Sequence, residues 1–436
     1  MTDQEIKNRV KDLLHKNMVQ GYSRSTGIHF HYTKPSLKPY ASQYFWDTCF
    51  HSFIFTALDE VDMATNHIKS LFSLQEEDGF VGHIIYWNKI LPNRITDIFQ
   101  SRPSLGMKLF RTHSSAMIQP PIVAQAVQNI YNRTHDLNFL REIYPKLKKY
   151  FTWLAANRDF EGEGLLSIIS PFESGMDWKP SFDEVVGFEH GKANWKLFLK
   201  MVNVDLKNFI HNYDLKAIYE KGYFIVKEAG FNTIYIQNLR IMAELGKLAG
   251  DPESDRYGIL AEKVLKRLME VMYDKEDEAF YDVYGKDYKK IKVLTPTIFY
   301  PVVIDGLPEG LRKKVIDRHL FNKDEFEASF PIPSVAKNDP SFNPEQSVYI
   351  WRGPSWIVFN WFIYHFLKDS GYEKEANLLI GCIRTLIEKS GFREYYNPFT
   401  GEGYGATEFT WTGLIVDMLE KEKNTGSKKE MLNATF

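Results

Sequence analysis

Two carboxylic acids lie close together in the segment SPFESGMDWKP at residues 170–180. Glu173 and Asp177 are flanked there by the aromatic residues Phe172 and Trp178. A carboxyl group that packs against aromatic rings has its charged form disfavoured, and its pKa rises. A raised pKa is what the general acid for a glycosidic oxygen requires. The segment therefore predicts an acid catalyst, with a solvated loop carboxylate as the alternative.

A second group of carboxylates occupies the segment GFREYYNPFTGEG at residues 391–403. Glu394 precedes two tyrosines and a predicted turn at Asn397-Pro398. A carboxylate that is held by tyrosine hydroxyls stays ionised and can orient water, which is the task of a general base. Glu402 lies between glycines and is expected to order the loop. Glu408 approaches the last helix, where an acidic residue commonly compensates the helix dipole.

Two tryptophan-containing segments could complete a site for sugars. In QYFWD, Asp47 follows Trp46 at the expected start of a helix, so it is either the N-cap or a ligand for sugar hydroxyls beside a stacking ring. In WRGPSW, Pro354 fits the first position of a helix. Arg352 in the same segment is either an internal salt-bridge partner or a ligand.

The composition favours a carbohydrate site and excludes several other classes. Aromatic residues make up 15% of the chain, enough to fill a large core and to line a pocket that stacks on sugar faces. The net charge of −2, without charged blocks, argues against a nucleic-acid face. The two cysteines, Cys49 and Cys382, predict free thiols in a reducing compartment. With neither a signal-peptide pattern nor a membrane-spanning stretch, we expect a cytoplasmic chain.

Sequence motifs for other chemistries are missing. The chain has no glycine-rich phosphate loop, CxxC pair, HExxH motif or nucleophile elbow. Its 12 histidines are scattered, and His83 and His113 have no metal-ligand partners at helical spacing. The stretch DFEGE at residues 159–163 lacks the alternation of a calcium loop. We therefore predict neither a metal nor a cofactor.

Helical hairpins are predicted to position these segments, because apolar residues recur at helical spacing along the chain. Two helices should meet at Gly250-Asp251-Pro252, where Gly250 ends the first helix and Asp251 is the N-cap of the second. The other predicted pairs are 51–59 with 63–74, 114–133 with 137–157, and 355–368 with 372–389.

Long connections rich in aromatic residues, glycine and proline separate the helix pairs. They run over about 34–47, 75–111, 160–194, 289–307, 324–354 and 392–405. Loops of this length are unusual in a compact domain unless they have a function, and a ring of helices would gather them around one mouth. We therefore predict an all-α fold, a toroid of helical hairpins that forms a single domain over residues 1–436. The charged tail from about Lys421 is expected to fray.

Taken in order, six sequence blocks resemble glycoside hydrolase family 63: QYFWDTCFHSF, QEEDGFVGH, HSSAMIQPP, SPFESGMDWKP, WRGPSW and FREYYNPFTGEG. The likeness runs from about Tyr40 to Leu419 and is nearest to the prokaryotic mannosylglycerate and glucosylglycerate hydrolases. It implies an (α/α)6 barrel, hydrolysis with inversion and no catalytic metal. By this resemblance Asp177 is the general acid and Glu394 is the general base.

The resemblance also implies which residues line the sugar site. They are Tyr40, Tyr44, Trp46, Asp47, Gln119, Phe172, Gly175, Trp351, Arg352 and Trp356. The glycerate-hydrolase branch tends to have Trp where this chain has Phe172, and Tyr where it has Ile350. The cations that could meet a glycerate carboxylate are Arg111, Lys179, Lys192 and Arg352.

Four functions are open at this point. The first is hydrolysis of a small α-glucoside or α-mannoside, with glucosylglycerate or mannosylglycerate as the expected substrate. The second is an α-glucosidase or trehalase that acts on a neutral oligosaccharide, which the lack of a cation near the aglycone would favour. The third is a sugar epimerase, which would need two facing histidines in the cavity and Asp177 outside it. The fourth is a non-catalytic sugar-binding protein. In each case we expect a small sugar as the partner of a monomer or homo-oligomer, and neither nucleic acid nor membrane.

Overall fold

The chain folds mainly into α-helices in a computed structural model that describes residues 1–24, 26–87, 98–100, 114–345, 348 and 350–423. The longer helices are Asp3–Asn17, Phe45–Ala57, Val61–Ser73, Val123–Thr134, Leu137–Arg158, Trp195–Ile210, Ala229–Ala249, Asp255–Val271, Ile357–Asp369 and Glu373–Ser390. The shorter ones are Asp183–Val186, Leu215–Lys221 and Leu311–Val315. Residues 415–423 are also helical.

Successive helices pair as hairpins, as the apolar spacing predicted. Every residue of Phe45–Ala57 is buried, and this helix packs against Val61–Ser73. Its amphipathic partner buries Ile68 and Leu71 on one face and exposes polar residues on the other. The same arrangement of an inner and an outer helix recurs in the pair formed by Ile357–Asp369 and Glu373–Ser390.

The hairpin at Gly250 follows the prediction in part. Gly250 ends the first helix in the left-handed conformation, with φ +80°, where a side chain would be strained. The second helix begins at Asp255 rather than at residue 252, so the predicted N-cap role of Asp251 is wrong. The Asp251 carboxylate instead accepts hydrogen bonds from Tyr144 Oη at 2.8 Å and Lys148 Nζ at 3.1 Å.

Two further helix starts lie later than the sequence predicted. Ile357, not Pro354, begins its helix, because Ser355 is still extended and pairs with Tyr396 in an isolated β-bridge. The helix predicted over residues 114–133 begins at Val123, and the irregular segment before it carries residues of the functional cavity. In both cases the shift leaves non-helical backbone where side chains reach a pocket.

Short antiparallel ladders connect the helices. Their strands are Met18–Ser23 with Ile28–Thr33, Gln43–Tyr44 with Ile84–Ile85, Val226–Lys227 with Val283–Tyr284, Val283–Tyr284 with Lys289–Lys290, Tyr273–Asp274 with Ala279–Phe280, and Arg393–Tyr396 with Gly403–Thr407. Most of these ladders are too short to be predicted from the sequence, since their strands have only two residues.

One cluster of buried side chains runs from Ile6 to Leu419 and joins helices from both ends of the chain. The expected fraying from Lys421 does not apply to residues 421–423, which end a helix. Lys421 donates a hydrogen bond to Asp369 at 2.7 Å, and Tyr364 donates one to Glu422 at 2.8 Å. Residues 424–436 lie outside the described part. None of the helices described for this chain is apolar over the length that a bilayer crossing demands.

Candidate active site

One cavity collects the segments that the sequence singled out. The buried helices Phe45–Ala57 and Ile357–Asp369 begin at this cavity, and the segment before Val123–Thr134 passes it. Its lining residues are Pro35, Tyr40, Tyr44, Trp46, Asp47, His83, Ile84, Gln100, Gln119, Phe172, Gly175, Asp177, Ile350, Trp351, Trp356, Glu394, Phe409 and Trp411. Every predicted catalytic or sugar-site residue except Arg352 is among them, and Asp177 and Glu394 share the same space.

Asp177 lies in a loop over residues 170–183, which we call the acid loop. The Ser170 hydroxyl begins it by accepting a hydrogen bond from the Phe172 amide, and a single 3-10 turn over Pro171–Glu173 follows. Phe172 and Trp178 meet edge to face, with ring centroids 5.5 Å apart. Asp177 lies between these two residues in the sequence. Its side chain is half-buried and lines the cavity.

Glu173, the other carboxylate of the acid loop, has a structural position. It is fully buried and forms a two-pronged ion pair with Arg158, with Nη1–Oε2 and Nη2–Oε1 distances of 2.8 and 2.5 Å. The amides of Ile118 and Ile169 also donate to its oxygens, at 2.9 and 2.8 Å. A carboxylate with all these donors is fixed, so Asp177 is the acid of this loop that can reach a ligand.

Two more buried cations hold the acid loop, and both had been considered as ligands for a glycerate carboxylate. Lys179 is buried and pairs with Glu228 and with Asp282, the latter at 2.7 Å. Arg352 is buried as well, and its Nε donates to the Trp178 carbonyl at 2.9 Å.

Arg352 therefore does not occupy the sugar-binding position predicted for it. Its Nη1 lies 2.9 Å from Asp183 Oδ2, at the end of the acid loop. An arginine fork fits a carboxylate in two-pronged geometry, and here that fork is used inside the protein. The internal salt bridge was the other role considered for this residue.

Gly175 shapes the acid loop by its missing side chain. It has φ +74°, and an added Cβ atom would lie 2.3 Å from the Trp46 ring. Trp46 lies in the first turn of the buried helix Phe45–Ala57, and its amide donates to Gln119 Oε1 at 3.1 Å. Trp46 thus contacts both Gly175 and Gln119, and these contacts join three parts of the chain that are far apart in the sequence.

Glu394 lies at an irregularity of the ladder between Arg393–Tyr396 and Gly403–Thr407, where the pairing register shifts between Arg393 and Tyr395. Such a bulge redirects a side chain, here towards the cavity. Glu394 Oε2 accepts a hydrogen bond from the Ala406 amide at 2.7 Å. Gly405 leaves the room for this contact, since a Cβ there would lie 2.5 Å from the same oxygen.

Tyr40 holds the other oxygen of Glu394. Its hydroxyl donates to Glu394 Oε1 at 2.5 Å. Burial raises the pKa of Tyr40 well above its usual value, and the nearby charge of Glu394 adds to this rise. The sequence had assigned this support to the neighbouring tyrosines, but the Tyr396 hydroxyl bonds the Gly391 carbonyl instead, at 2.8 Å. A carboxylate with two donors is stabilised in its ionised form, which suits a base.

Asp47 is a third carboxylate in the cavity. Tyr44, not Asp47, is the N-cap of the helix Phe45–Ala57, so the N-cap alternative is wrong. Asp47 Oδ1 accepts a hydrogen bond from Trp411 Nε1 at 2.6 Å. Burial raises the pKa of Asp47 to about 7, and the charges of Asp177 and Glu394 also raise it.

Aromatic rings make the remaining walls. Trp351 stacks on Trp356 with ring centroids 3.7 Å apart, and Trp356 stacks on Tyr395 at 4.9 Å. Trp46 meets Trp411 edge to face at 5.1 Å. Flat, rigid rings of this kind give a weakly polar sugar face a large contact area.

Sequence reasoning missed Pro35, His83, Ile84, Gln100, Phe409 and Trp411 as cavity residues. A signal existed for His83, which lies in the block QEEDGFVGH, and for the two aromatic residues, which lie at residues 408–413 within the range of the resemblance. Burial lowers the pKa of His83 to about 3, so this ring is neutral. Gln100 had no signal, since its segment shows no helical or strand pattern.

No lysine or arginine of the described residues lines the cavity. Of the four cations considered for a glycerate carboxylate, Lys179 and Arg352 are paired internally, and Lys192 is exposed and not part of the lining. Arg111 lies outside the described residues.

The arrangement is suited to acid-base chemistry. A half-buried acid and a base with two hydrogen-bond donors face one space that is walled by rings. An epimerase would require two facing histidines in the cavity and Asp177 outside it. The described lining contains one histidine, His83, and Asp177 is part of that lining. Within the described ranges, no cluster of three or more His, Cys, Asp or Glu side chains could hold a metal ion.

Comparison with known proteins identifies the chemistry. A family model described as the mannosylglycerate hydrolase MGH1-like glycoside hydrolase domain matches residues 39–412. The chain belongs to this glycoside hydrolase family. Membership supports hydrolysis of glycosidic bonds as the activity of this chain, and it confirms the resemblance stated from the sequence.

Relatives of this glycoside hydrolase family match over nearly their full length. The mannosylglycerate hydrolase of Thermus thermophilus is 29% identical over 409 residues, which are 88% of this chain and 95% of the relative. The glucosylglycerate hydrolase of Mycolicibacterium hassiacum is 25% identical over 415 residues, covering 86% and 91%. The crystal structure of the GH63 mannosylglycerate hydrolase from Thermus thermophilus in complex with Tris has a TM-score of 0.81 at 25% identity, covering 95% of this chain and 99% of that one.

Proposed function

We propose that this chain is an inverting α-glycoside hydrolase that acts on a small α-glucoside or α-mannoside, with glucosylglycerate and mannosylglycerate as the first candidates. The observation that carries the proposal is the shared cavity of Asp177 and Glu394, with the second carboxylate held by Tyr40 and the Ala406 amide. The helical hairpins are taken as an (α/α)6 barrel that forms one catalytic domain over residues 1–436.

In the proposed mechanism, Asp177 donates a proton to the glycosidic oxygen as the bond to the anomeric carbon breaks. Glu394 removes a proton from a water molecule that attacks the opposite face of the sugar ring, so the anomeric configuration inverts in one step. The hydrogen bond from Tyr40 and the bond from the Ala406 amide keep Glu394 ionised before the reaction. Asp47, beside Trp46, is placed to bind hydroxyl groups of the sugar.

The substrate class is supported by the shape of the lining and by the relatives. Trp46, Trp351 and Trp411 line the cavity together with both carboxylates, and the relatives named above are hydrolases of mannosylglycerate and glucosylglycerate. Phe172 and Ile350 also line the cavity, and they are the positions where the family's glycerate-hydrolase branch tends to carry Trp and Tyr. We therefore expect Phe172 and Ile350 to be the residues through which the aglycone preference of this chain differs from that of the glycerate-hydrolase branch.

A second candidate is an α-glucosidase or trehalase-like enzyme for a neutral disaccharide. The described cavity lining has no lysine or arginine to meet a glycerate carboxylate, and this observation favours a neutral aglycone. The two candidates share the acid and the base and differ in the leaving group alone.

A hydrolysis panel tests the proposal and separates the two candidates. The purified chain is incubated with glucosylglycerate, mannosylglycerate, trehalose and kojibiose, and released sugar is measured. We expect hydrolysis of at least one glycerate glycoside, whereas activity restricted to trehalose or kojibiose would select the second candidate. Asp177→Asn and Glu394→Gln should each lower kcat by about 100-fold or more.

Glu402→Gln is the matched control, because Glu402 is an exposed carboxylate between the two strands of the hairpin that carries Glu394 and accepts from Tyr404 Oη at 3.2 Å. It should retain the kcat of the wild type. Proton NMR of the first sugar released from an α-glycoside should show the β-anomer. Release of the α-anomer, or full activity in both catalytic variants, would overturn the proposed mechanism.

A further inference from the structure

A buried carboxylate outside the cavity, Asp205, links the acid loop to a residue of the cavity wall. Asp205 lies on the helix Trp195–Ile210 and is 1% exposed. Its Oδ1 accepts a hydrogen bond from Ser170 Oγ at 2.6 Å, and its Oδ2 accepts one from Gln100 Nε2 at 3.1 Å. Ser170 begins the acid loop, and Gln100 lines the cavity.

The same helix also holds the residue directly before the acid loop. Asn208 lies three residues after Asp205, on the same helix face, and its Nδ2 donates to the Ile169 carbonyl at 2.8 Å. Among the described residues, the Asn208 side chain forms no hydrogen bond to the cavity lining, so Asn208 provides the structural tie alone. Asp205 provides a structural tie and a contact to the wall, and the two residues can be compared.

The contact with Asp205 determines how Gln100 faces a ligand. Burial raises the pKa of Asp205 to about 7. Above that pH the ionised carboxylate can only accept hydrogen bonds, so it selects the NH2 end of the Gln100 amide. The carbonyl oxygen of that amide is then the atom that can accept a hydrogen bond from a sugar hydroxyl. A residue at position 205 that can both donate and accept would allow the amide to turn over and present its NH2 group instead.

We propose that Asp205 is a positioning residue that fixes Gln100 as a hydrogen-bond acceptor for a substrate hydroxyl, and ties this contact to the loop that carries Asp177. The inference rests on the proposed function, because it assigns a sugar as the ligand of the cavity. Asp205 touches neither the substrate nor the reacting atoms, and it acts through Gln100.

A double-mutant cycle tests this role. Asp205→Asn keeps the shape but allows the Gln100 amide to turn over, and Gln100→Ala removes the contact. Each should lower kcat/KM by about tenfold, mainly through a higher KM, since one hydrogen bond to the ligand is lost. The double variant should resemble Gln100→Ala within about twofold, because Asp205 acts through Gln100. Asn208→Ala is the control and should lower Tm while leaving KM within about twofold.

A binding experiment separates this inference from the proposed function. Four tryptophans line the cavity, so quenching of their fluorescence by D-mannose and D-glucose reports sugar binding without hydrolysis. If no glycoside of the panel is hydrolysed, the proposed function fails. The dissociation constants of the wild type, the two single variants and the double variant still test the role of Asp205. Multiplicative effects in the double variant, or dissociation constants that neither Asp205→Asn nor Gln100→Ala changes, would overturn the positioning role.

Discussion

The hydroxyl of Tyr40 donates a hydrogen bond to Oε1 of Glu394 across 2.5 Å, although the two residues are 354 positions apart in the sequence. The bond fixes one oxygen of the candidate base, and the Ala406 amide fixes the other. Glu394 is thus positioned by donors from both ends of the chain. A loss of either donor should affect catalysis before it affects folding.

Tyr40→Phe should lower kcat by about tenfold to 100-fold, because Glu394 loses a charge-assisted hydrogen bond and its orientation. The ring contacts to Tyr44 and Phe409 are kept, so Tm should change little. Tyr404→Phe is the control, since its hydroxyl bonds Glu402 outside the cavity lining. Equal kinetic constants for the two variants would contradict a role for Tyr40 in holding the base.

Gly405→Ala should reduce activity strongly, because the new methyl group would lie 2.5 Å from Glu394 Oε2 and 2.6 Å from the Tyr395 ring. Gly285→Ala provides a matched control. Gly285 has φ +71°, close to the +66° of Gly405, and nothing lies within 4 Å of an added Cβ. Both variants carry the strain of a left-handed alanine, of about 1 kcal/mol, and Gly405→Ala alone displaces the base. Activity assays and thermal unfolding of the pair measure this difference, and a fully active Gly405→Ala would refute it.

Glu173→Gln should destabilise the chain by about 3–5 kcal/mol, because it leaves the buried Arg158 guanidinium without a charged partner. Glu408→Gln removes an ion pair with Lys16, which is 54% exposed, and should cost less than about 1 kcal/mol. Urea unfolding followed by circular dichroism measures both changes. If Glu173→Gln proves insoluble, Arg158→Lys offers a milder change in the same pair. A similar midpoint for the buried and the exposed variant would show that the acid loop does not depend on this ion pair.

The sequence predicted which residues line the candidate cavity better than it predicted which contacts hold them in place. Asp177, Glu394 and the tryptophans lie in local blocks whose residue types already suggest acid-base chemistry beside sugar-stacking rings. Contacts such as Tyr40 with Glu394 join segments far apart in the chain, and local patterns carry no information on them.

The roles of Arg352 and Lys179 were open from the sequence for a related reason. A cation near a carboxylate motif can either bind a ligand or form an ion pair inside the protein. The structure shows the second role for both residues, through buried ion pairs with Asp183, Glu228 and Asp282. Helix starts were displaced for a physical reason too. At Ser355 the pairing with extended Tyr396 outweighs the preference of the preceding proline for the first turn of a helix.

His190 should make the stability of the acid loop depend on pH. Its ring nitrogens lie 3.3 Å from Asp183 and 3.1 Å from Asp339, and these hydrogen bonds raise the pKa of His190 to about 9. The unfolded chain has a histidine pKa of about 6.5. Because the folded value is the higher one, the protonated ring stabilises the fold fully below about pH 6.5, and this contribution is lost as the pH rises through 9.

The Tm advantage of the wild type over His190→Gln should therefore shrink steadily between about pH 6.5 and pH 9. His190 is 32% exposed, so solvent screening reduces the effect, and low ionic strength is the condition in which to measure it. His29→Gln, at an exposed histidine with no carboxylate pair described for it, is the control for the general effect of losing a histidine. Asp183 also accepts a hydrogen bond from Arg352, and this contact is present with either residue at position 190. An advantage that grows with pH would contradict the raised pKa and would mean that the neutral ring is the form that holds the acid loop.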